Sequence, residues 1–325
     1  MNSKVLLLAD DLTGACDAAV HFAMRGLRSA AAVSLEHARG DMPVWAVNTD
    51  TRDGGRDGIR RLMARAADRL PAGPETIIFQ KIDSTLRGHA GIETAAALEA
   101  FGCELAIFTP ALPALGRTVE SGILRVAGRP EFQPVDVAAW LGEQAVASAP
   151  IATKDAQSDG DLDGIVAEGL ASGRRILWAG SAGLAAALAR TTGRPLASRT
   201  RPQGGPALFA IGSDHPVTLE QLEKLSCHSA HRVLCIPRRP LPEDVRRTLA
   251  AAPALVLSGG DTAAAICRAL EAERIDLEHE IVPGVPWGVL RGGRAHGTPV
   301  ATKSGGFGAP DALIRIADFF PCPTT

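Results

Sequence analysis

Two adjacent aspartates, Asp10 and Asp11, end the apolar run Val5–Ala9, with Thr13 and Gly14 just beyond. Neighbouring carboxylates repel, so a fold that buries this junction must bring a cation to it. An ionised carboxylate held there can accept the proton of a hydroxyl. A second polar group follows in KIDSTLRG, which carries Lys81, Asp83, Ser84 and Arg87, and Arg117 stands in the later turn LGRT. Acids, cations and hydroxyls mixed in this way suit a small anion that carries hydroxyls, such as a sugar acid. Arg87 or Arg117 would pair with its carboxylate, because a guanidinium matches a carboxylate with two parallel hydrogen bonds. Plainer roles compete for the same residues. Asp10 and Asp11 can be a helix cap and a solvated acid, and Ser84 a second cap. Asp50 and Arg52 can pair with each other. Asp17, a turn beyond Thr13, sits either behind the site or on a solvated helix face.

The second half carries a different chemistry. Gly212-Ser213, SGGDT at 258–262 and SGGFG at 304–308 each end an apolar run and open a helical stretch. Glycine lets a backbone approach a ligand, and N–H groups at helix starts attract phosphate. One such loop is an ordinary tight turn; three together point to a nucleotide. G-x-x-x-x-G-K-[ST] is absent, as is G-x-G-x-x-G with an acid at dinucleotide spacing. The adjacent acids, with Thr13 two residues after Asp11, also miss the D-x-D-x-T spacing of a phosphatase. His89, His215 and His296 lie near loops without a partner at metal-ligand spacing, and no metal ligand is assigned.

These turns need strands to carry them. Short apolar runs alternate with Ala-rich helical stretches along the chain, which predicts an α/β fold with mostly parallel sheets flanked by helices. In such sheets ligands bind beyond the carboxyl ends of the strands, where all of these turns fall. The first half shows strands at Val5–Ala9, Val44–Val47, 76–81, Leu105–Thr109 and 176–179. The pattern restarts with strands at Ala207–Ile211, 233–236, 254–257 and Pro299–Lys303, after a Pro-, Gly- and Arg-rich stretch, 193–206, read as a linker. Two domains are expected, 1–200 and 201–325, with the active site in the cleft between them. The chain has 325 residues and a formal net charge of −2, which argues against a nucleic-acid partner. No stretch reaches membrane length without charges or glycines, and the opening apolar run is too short for a signal segment, so a cytoplasmic protein is expected. Its six cysteines form no C-x-x-C pair and read as reduced packing residues. Monomer and homodimer both stay open.

Taken in order, LLLADDLTGACDAA, KIDSTLRG, PALPALGRT, GSAGLAAALA, IGSDHPVTLEQL, LSGGDTAAA and ATKSGGFG resemble the four-carbon acid sugar kinases over nearly the whole chain. The resemblance implies two α/β domains, the first binding the acid sugar and the second, shortened here between IGSDH and LSGGDT, binding ATP. It implies phosphorylation of the terminal hydroxyl of erythronate, threonate or a 3-oxo-tetronate, with ATP and Mg2+. Asp11 or Asp10 would be the base, and Lys81, Asp83, Ser84, Arg87 and Arg117 would line the acid-sugar side. Ser213, Gly259, Gly260, Asp261, Thr262, Gly305 and Gly306 would contact ATP. The rival readings are a sugar-acid-binding or regulatory protein that lost turnover, and a phosphatase or isomerase on a similar sheet.

Overall fold

The computed structural model describes residues 4–40, 42–70, 72–144, 149–196, 202, 205–226, 232–236 and 241–320. Its strands in the first half are β1 (Val5–Ala9), β2 (Ser29–Ala32), β3 (Val44–Asn48), β4 (Ile77–Lys81), β5 (Leu105–Thr109), β6 (Arg117–Glu120), β7 (Ile123–Val126), β8 (Val135–Asp136), β9 (Ile151–Thr153) and β10 (Ile176–Gly180). The second half adds β11 (Ala207–Ile211), β12 (Arg232–Cys235), β13 (Ala254–Ser258), β14 (Arg274–Val282), β15 (Val285–Arg291) and β16 (Pro299–Lys303). The helices are α1 (Leu12–Ala23), α2 (Ile59–Arg69), α3 (Ala90–Ala100), α4 (Val137–Glu143) and α5 (Asp159–Ala171), then α6 (Ala182–Thr192), α7 (Pro216–Ser226), α8 (Glu243–Ala250), α9 (Gly260–Ala269) and α10 (Ala312–Phe319).

The α/β reading holds, and the two halves share one sheet. Thirteen strands run in the order β12-β11-β13-β16-β15-β14-β2-β3-β1-β4-β10-β5-β9. Strands β2, β3, β1, β4, β10, β5 and β9 of the first half lie parallel, as do β12, β11, β13 and β16 of the second. The hairpin β14–β15 joins them: β14 pairs antiparallel with β2, and β15 antiparallel with β16. Three antiparallel pairings reverse the strand direction between the halves. Sheet twist then turns it back. At about 20–25° per neighbour, the six steps from β1 to β13 accumulate roughly 120–150°. The carboxyl ends of the two parallel sets therefore meet instead of pointing apart.

Helix α1 lies at this seam. Every one of its residues except His21 is buried, and it packs on β2, β3 and β14 and against α6 and α9. Its alanines leave little side chain between helix and sheet, so the helix start is held close to the strand ends. A separate three-stranded sheet, β6-β7-β8, fills the stretch after β5 that looked irregular in sequence. Half of the linker, 197–201 with 203 and 204, lies outside the described residues; its start is tied back by Leu196 N–H donating to Met24 O at 3.0 Å. Cys16, Cys103, Cys235 and Cys267 carry free thiols, while Cys227 and Cys322 lie outside the described residues. Among the described residues, no helix is long and apolar enough to cross a membrane.

Candidate active site

Strands β3, β1 and β4 are neighbours in register, with Ala9 beside both Asn48 and Lys81, so their ends deliver Asp10, Asp11, Arg52 and Asp83 to one place. The cation demanded by the two acids is Arg52. Its Nε and Nη2 donate to the two oxygens of Asp10 at 2.7 and 2.8 Å, and Nη1 donates to Asp11 Oδ2 at 2.5 Å. Arg52 therefore does not pair with Asp50, which binds Arg268 of α9 at 2.9 Å. Burial raises the Asp10 carboxyl even against Arg52. Burial also works to raise Asp11, but Arg52 and Lys81 overcome it and hold that carboxyl below its ordinary range. Asp11 is the N-cap of α1, accepting from Gly14 N–H at 2.7 Å and from the Thr13 hydroxyl at 2.9 Å. One acid is thus an anchor for Arg52, and the other an ionised group at a helix start.

Beneath Asp10 lies Glu93, fully buried in α3, accepting from Thr51 and Gln80. Burial and the charge of Asp10 push its carboxyl up to about 8. It binds a proton in the folded chain and none in the unfolded chain between its ordinary 4.5 and about 8, so stability contributed below this window is lost as pH rises through it. Glu93→Gln is expected to flatten the fall in melting temperature between pH 5 and about 8 while leaving the melt near pH 5 unchanged. Melting curves across that range check it; an unchanged pH slope contradicts the neutral Glu93.

The acid-sugar side is more divided than its sequence suggested. Asp83 is buried and fully engaged: Arg87 Nε and Nη2 donate to it at 3.0 and 2.7 Å, and Thr85 donates as well. Burial opposes its ionisation, yet Arg87 and Arg52 hold it well below the carboxylate range. Arg87, expected to hold a substrate carboxylate, pairs here with Asp83, its side chain 56% exposed. Arg117 differs. It is buried, donates to Leu115 O at 2.9 Å and stacks on the ring of Phe307 from the second half, 4.9 Å from its centre. Its Nε has no partner, and burial, with Arg129 nearby, pulls its guanidinium down to about 10. The Ser84 hydroxyl is likewise buried and unpartnered, and Lys81 donates to Ile82 O at 2.9 Å beside Asp11.

The glycine loops converge because β11, β13 and β16 are adjacent. Gly259 N–H donates to Lys303 O at 2.9 Å, and Gly212 N–H to Ser258 O at 3.2 Å. Gly305 lies so close to Ser213 that a Cβ there would stand 2.1 Å from its Oγ, while Thr262 fills the space beside Gly212. Thr218 donates to Gly305 O at 2.7 Å. Lys303, fully buried, donates to Ser304 O and Gly305 O at 3.1 Å each, and burial pulls its ammonium down to about 7. Asp261, in the first turn of α9, is exposed as a residue, while partial burial of its carboxyl, with the charge of Asp53, raises its pKa.

The two sides touch. Thr13 Oγ1 lies 3.1 Å from Ser304 Oγ, and a Cβ on Gly260 would stand 2.2 Å from Asp11 Oδ2. Only glycine permits this approach. Gly260→Ala is expected to lower turnover about 100-fold, since an ångström of misplacement has that cost, with the melting temperature unchanged within a few degrees. Steady-state kinetics check it, and wild-type turnover would contradict the contact. Arg129, which sequence reading did not single out, reaches from the loop after β7 to Gly306 O at 2.7 Å and His215 Nε2 at 3.2 Å. Nothing local marks it or Arg52; both are loop arginines whose partners are distant in sequence.

Known proteins resemble this chain along its length. Residues 5–136 match the family model described as a sugar-binding N-terminal domain, and residues 241–313 that of a nucleotide-binding C-terminal domain. A D-threonate kinase of Bordetella bronchiseptica is 31% identical, covering 96% of both chains. A D-erythronate kinase of Heliobacterium modesticaldum is 26% identical over 98% of this chain and 97% of its own. Among solved structures, a Bordetella bronchiseptica protein with a domain of unknown function, a domain-swapped dimer with bound citrate, is 31% identical over 97% of both chains with a TM-score of 0.51. A putative tRNA synthase of Salmonella typhimurium LT2 shares the fold at 20% identity, covering 99% of this chain and 100% of its own, with a TM-score of 0.73. With paired sugar-binding and nucleotide-binding halves and a relative this similar along nearly its full length, the chain belongs to the four-carbon acid sugar kinase family.

Proposed function

We propose that this chain transfers the γ-phosphoryl group of ATP to the terminal hydroxyl of a four-carbon acid sugar. The observation that carries the reading is the apposition of Asp11 with Gly260 and of Thr13 with Ser304, which sets an ionised carboxylate against the converging glycine loops. The hydroxyl oxygen attacks the γ-phosphorus in line, the bond to ADP breaks, and the hydroxyl proton passes to Asp11. Asp11 is a weak base, held low by Arg52 and Lys81, which suits a loose transfer in which the proton leaves late. Arg117, whose Nε has no partner among the described residues, takes the acid group of the substrate; Ser84 offers an unpartnered hydroxyl to its hydroxyls. Backbone N–H groups around Gly259, Gly260, Gly305 and Gly306, with Ser213 and Thr262, receive the phosphates. Contact between the halves excludes water, which would otherwise hydrolyse ATP.

Mg2+ takes oxygen ligands, and the donor set fits: Asp53 of the first half faces Asp261 of the second, whose carboxyl is raised by burial and by the charge of Asp53. These carboxylates would hold the ion, which supplies neutralisation of phosphate charge when bound. D-threonate is the first substrate to try, since it is named for relatives at 31% and 28% identity. A homodimer, the state of the Bordetella structure, is the proposed assembly, and the cytoplasm, where ATP is made available, the proposed location. The site of transfer is tested by phosphorus and carbon NMR of the product: a phosphoester on the terminal carbon is expected, and an acyl phosphate or a phosphoester on an inner carbon would overturn the placement of Arg117 and Asp11.

A further inference from the structure

We propose that Asp17, His21 and Glu280 form a binding site for one divalent transition-metal ion, separate from the Mg2+ that accompanies ATP and tying α1 to β14 across the seam of the two halves. One ligand atom from each residue lies within 4.8 Å of the other two. Asp17 and His21 are four residues apart on α1, which places both on one face of the helix, the spacing by which helices present paired metal ligands. Glu280 comes from β14, and one of its oxygens already accepts from Gly284 N–H at 2.8 Å, so the hairpin turn holds that carboxylate in place.

The second observation is Asp17 itself. It is 4% exposed, yet among the described residues its carboxylate has no hydrogen bond or ion pair. Buried carboxylates are ordinarily paired, hydrogen-bonded or bound to metal. Of the two cations that act on it, Lys81 donates to Ile82 O at 2.9 Å, and His21 is itself a member of the cluster. A second acid, Glu280, faces it as well. Burial pushes the Asp17 carboxyl up to about 6 against the charges of Lys81 and His21.

The chemistry of the three donors selects the ion. One imidazole with two carboxylates suits Mn2+, Fe2+ or Zn2+ better than Mg2+ or Ca2+, which favour oxygen alone. Donors held at about 2.1 Å from such an ion in a tetrahedral set stand about 3.4 Å apart, so binding draws this triangle, now within 4.8 Å, in by up to about 1.4 Å. Water or a substrate oxygen completes the coordination.

The test uses the full chain without nucleotide, so that no ion enters with ATP. Calorimetric titration with Mn2+ and with Zn2+, and the electron paramagnetic resonance spectrum of Mn2+, are expected to show one ion per chain that millimolar Mg2+ does not displace. Asp17→Asn, His21→Gln and Glu280→Gln are each expected to weaken binding at least tenfold. Folding is controlled by melts without metal: Glu280→Gln keeps an acceptor for Gly284 N–H and melts with the wild type, whereas Asp17→Asn, relieved of a buried charge, melts higher and no longer gains from Mn2+. Failure of both metals to bind more tightly than about 1 mM overturns the inference, as does binding that all three variants leave unchanged. Because no turnover is measured, these outcomes stand apart from the fate of the kinase reading.

Discussion

Asp11→Asn is expected to lower kcat by about 10^3-fold while ATP affinity stays within about threefold. Asparagine is a good N-cap, so its side-chain oxygen still accepts from Gly14 N–H and α1 starts where it does now. Arg52 keeps its paired hydrogen bonds to Asp10, so the junction remains closed on a cation. What disappears is the anion that faces the glycine loops and takes the hydroxyl proton. The amide cannot take that proton, and the attacking oxygen loses its orientation. Single-turnover kinetics report the chemical step, and calorimetry with ATP shows that the nucleotide side is intact. Turnover within tenfold of the wild type would move the base to another residue. The corresponding change at Asp10 acts differently, because Asp10 presents both oxygens to Arg52 and none to the glycine loops; its main effect falls on stability.

Arg52→Met is expected to destabilise the fold by about 3–5 kcal/mol, the cost of removing one partner from a buried ion pair. Asp10, Asp11 and Asp83 are 2%, 5% and 5% exposed, and Arg52 lies within 4.0 Å of all three. Methionine fills part of the space but leaves Asp10 and Asp11 adjacent and without their guanidinium. The sign of the pH dependence follows. Without Arg52 the folded chain binds protons at these acids more tightly than the unfolded chain, so acid favours the folded variant relative to neutral pH. The deficit against wild type therefore shrinks as pH falls from 7 towards 4. Denaturant melts at the two pH values measure it. A variant as stable as the wild type at pH 7 would show that Arg52 does not carry the junction.

Much of this architecture was legible because its signals are local. β1 and β11 are unbroken apolar runs and β16 opens on one, each stops at a polar or glycine turn, and the structure places all three strands where the sequence put them. The hairpin β14–β15 was not legible. RIDLEHEIV carries four charged residues, and their place in a strand depends on partners outside the local pattern: Asp276 binds Arg274 and, across the hairpin, Arg291, at 2.7 Å each. With that hairpin unseen, the continuity of the sheet through the seam was unseen too. The acids at the site were legible as chemistry, but not their division of labour. That division depends on Arg52, 42 residues from Asp10, and on Arg87 turning to Asp83 instead of to a ligand. Glu93 left a faint signal, an acid in the first turn of an Ala-rich helix, but only its burial beside Asp10 explains it.

The central claim is that the glycine-rich half and the acid-bearing half act together on ATP and a four-carbon acid. The most direct test is coupled ADP release with Mg·ATP across D- and L-erythronate, D- and L-threonate and the 3-oxo-tetronates. The account predicts ADP release that depends on one of these acids, saturates with it, and stops at one ADP per acid consumed. No acid-dependent release from a protein that still binds one of the acids by calorimetry would contradict it, and would leave a sugar-acid-binding protein in place of a kinase.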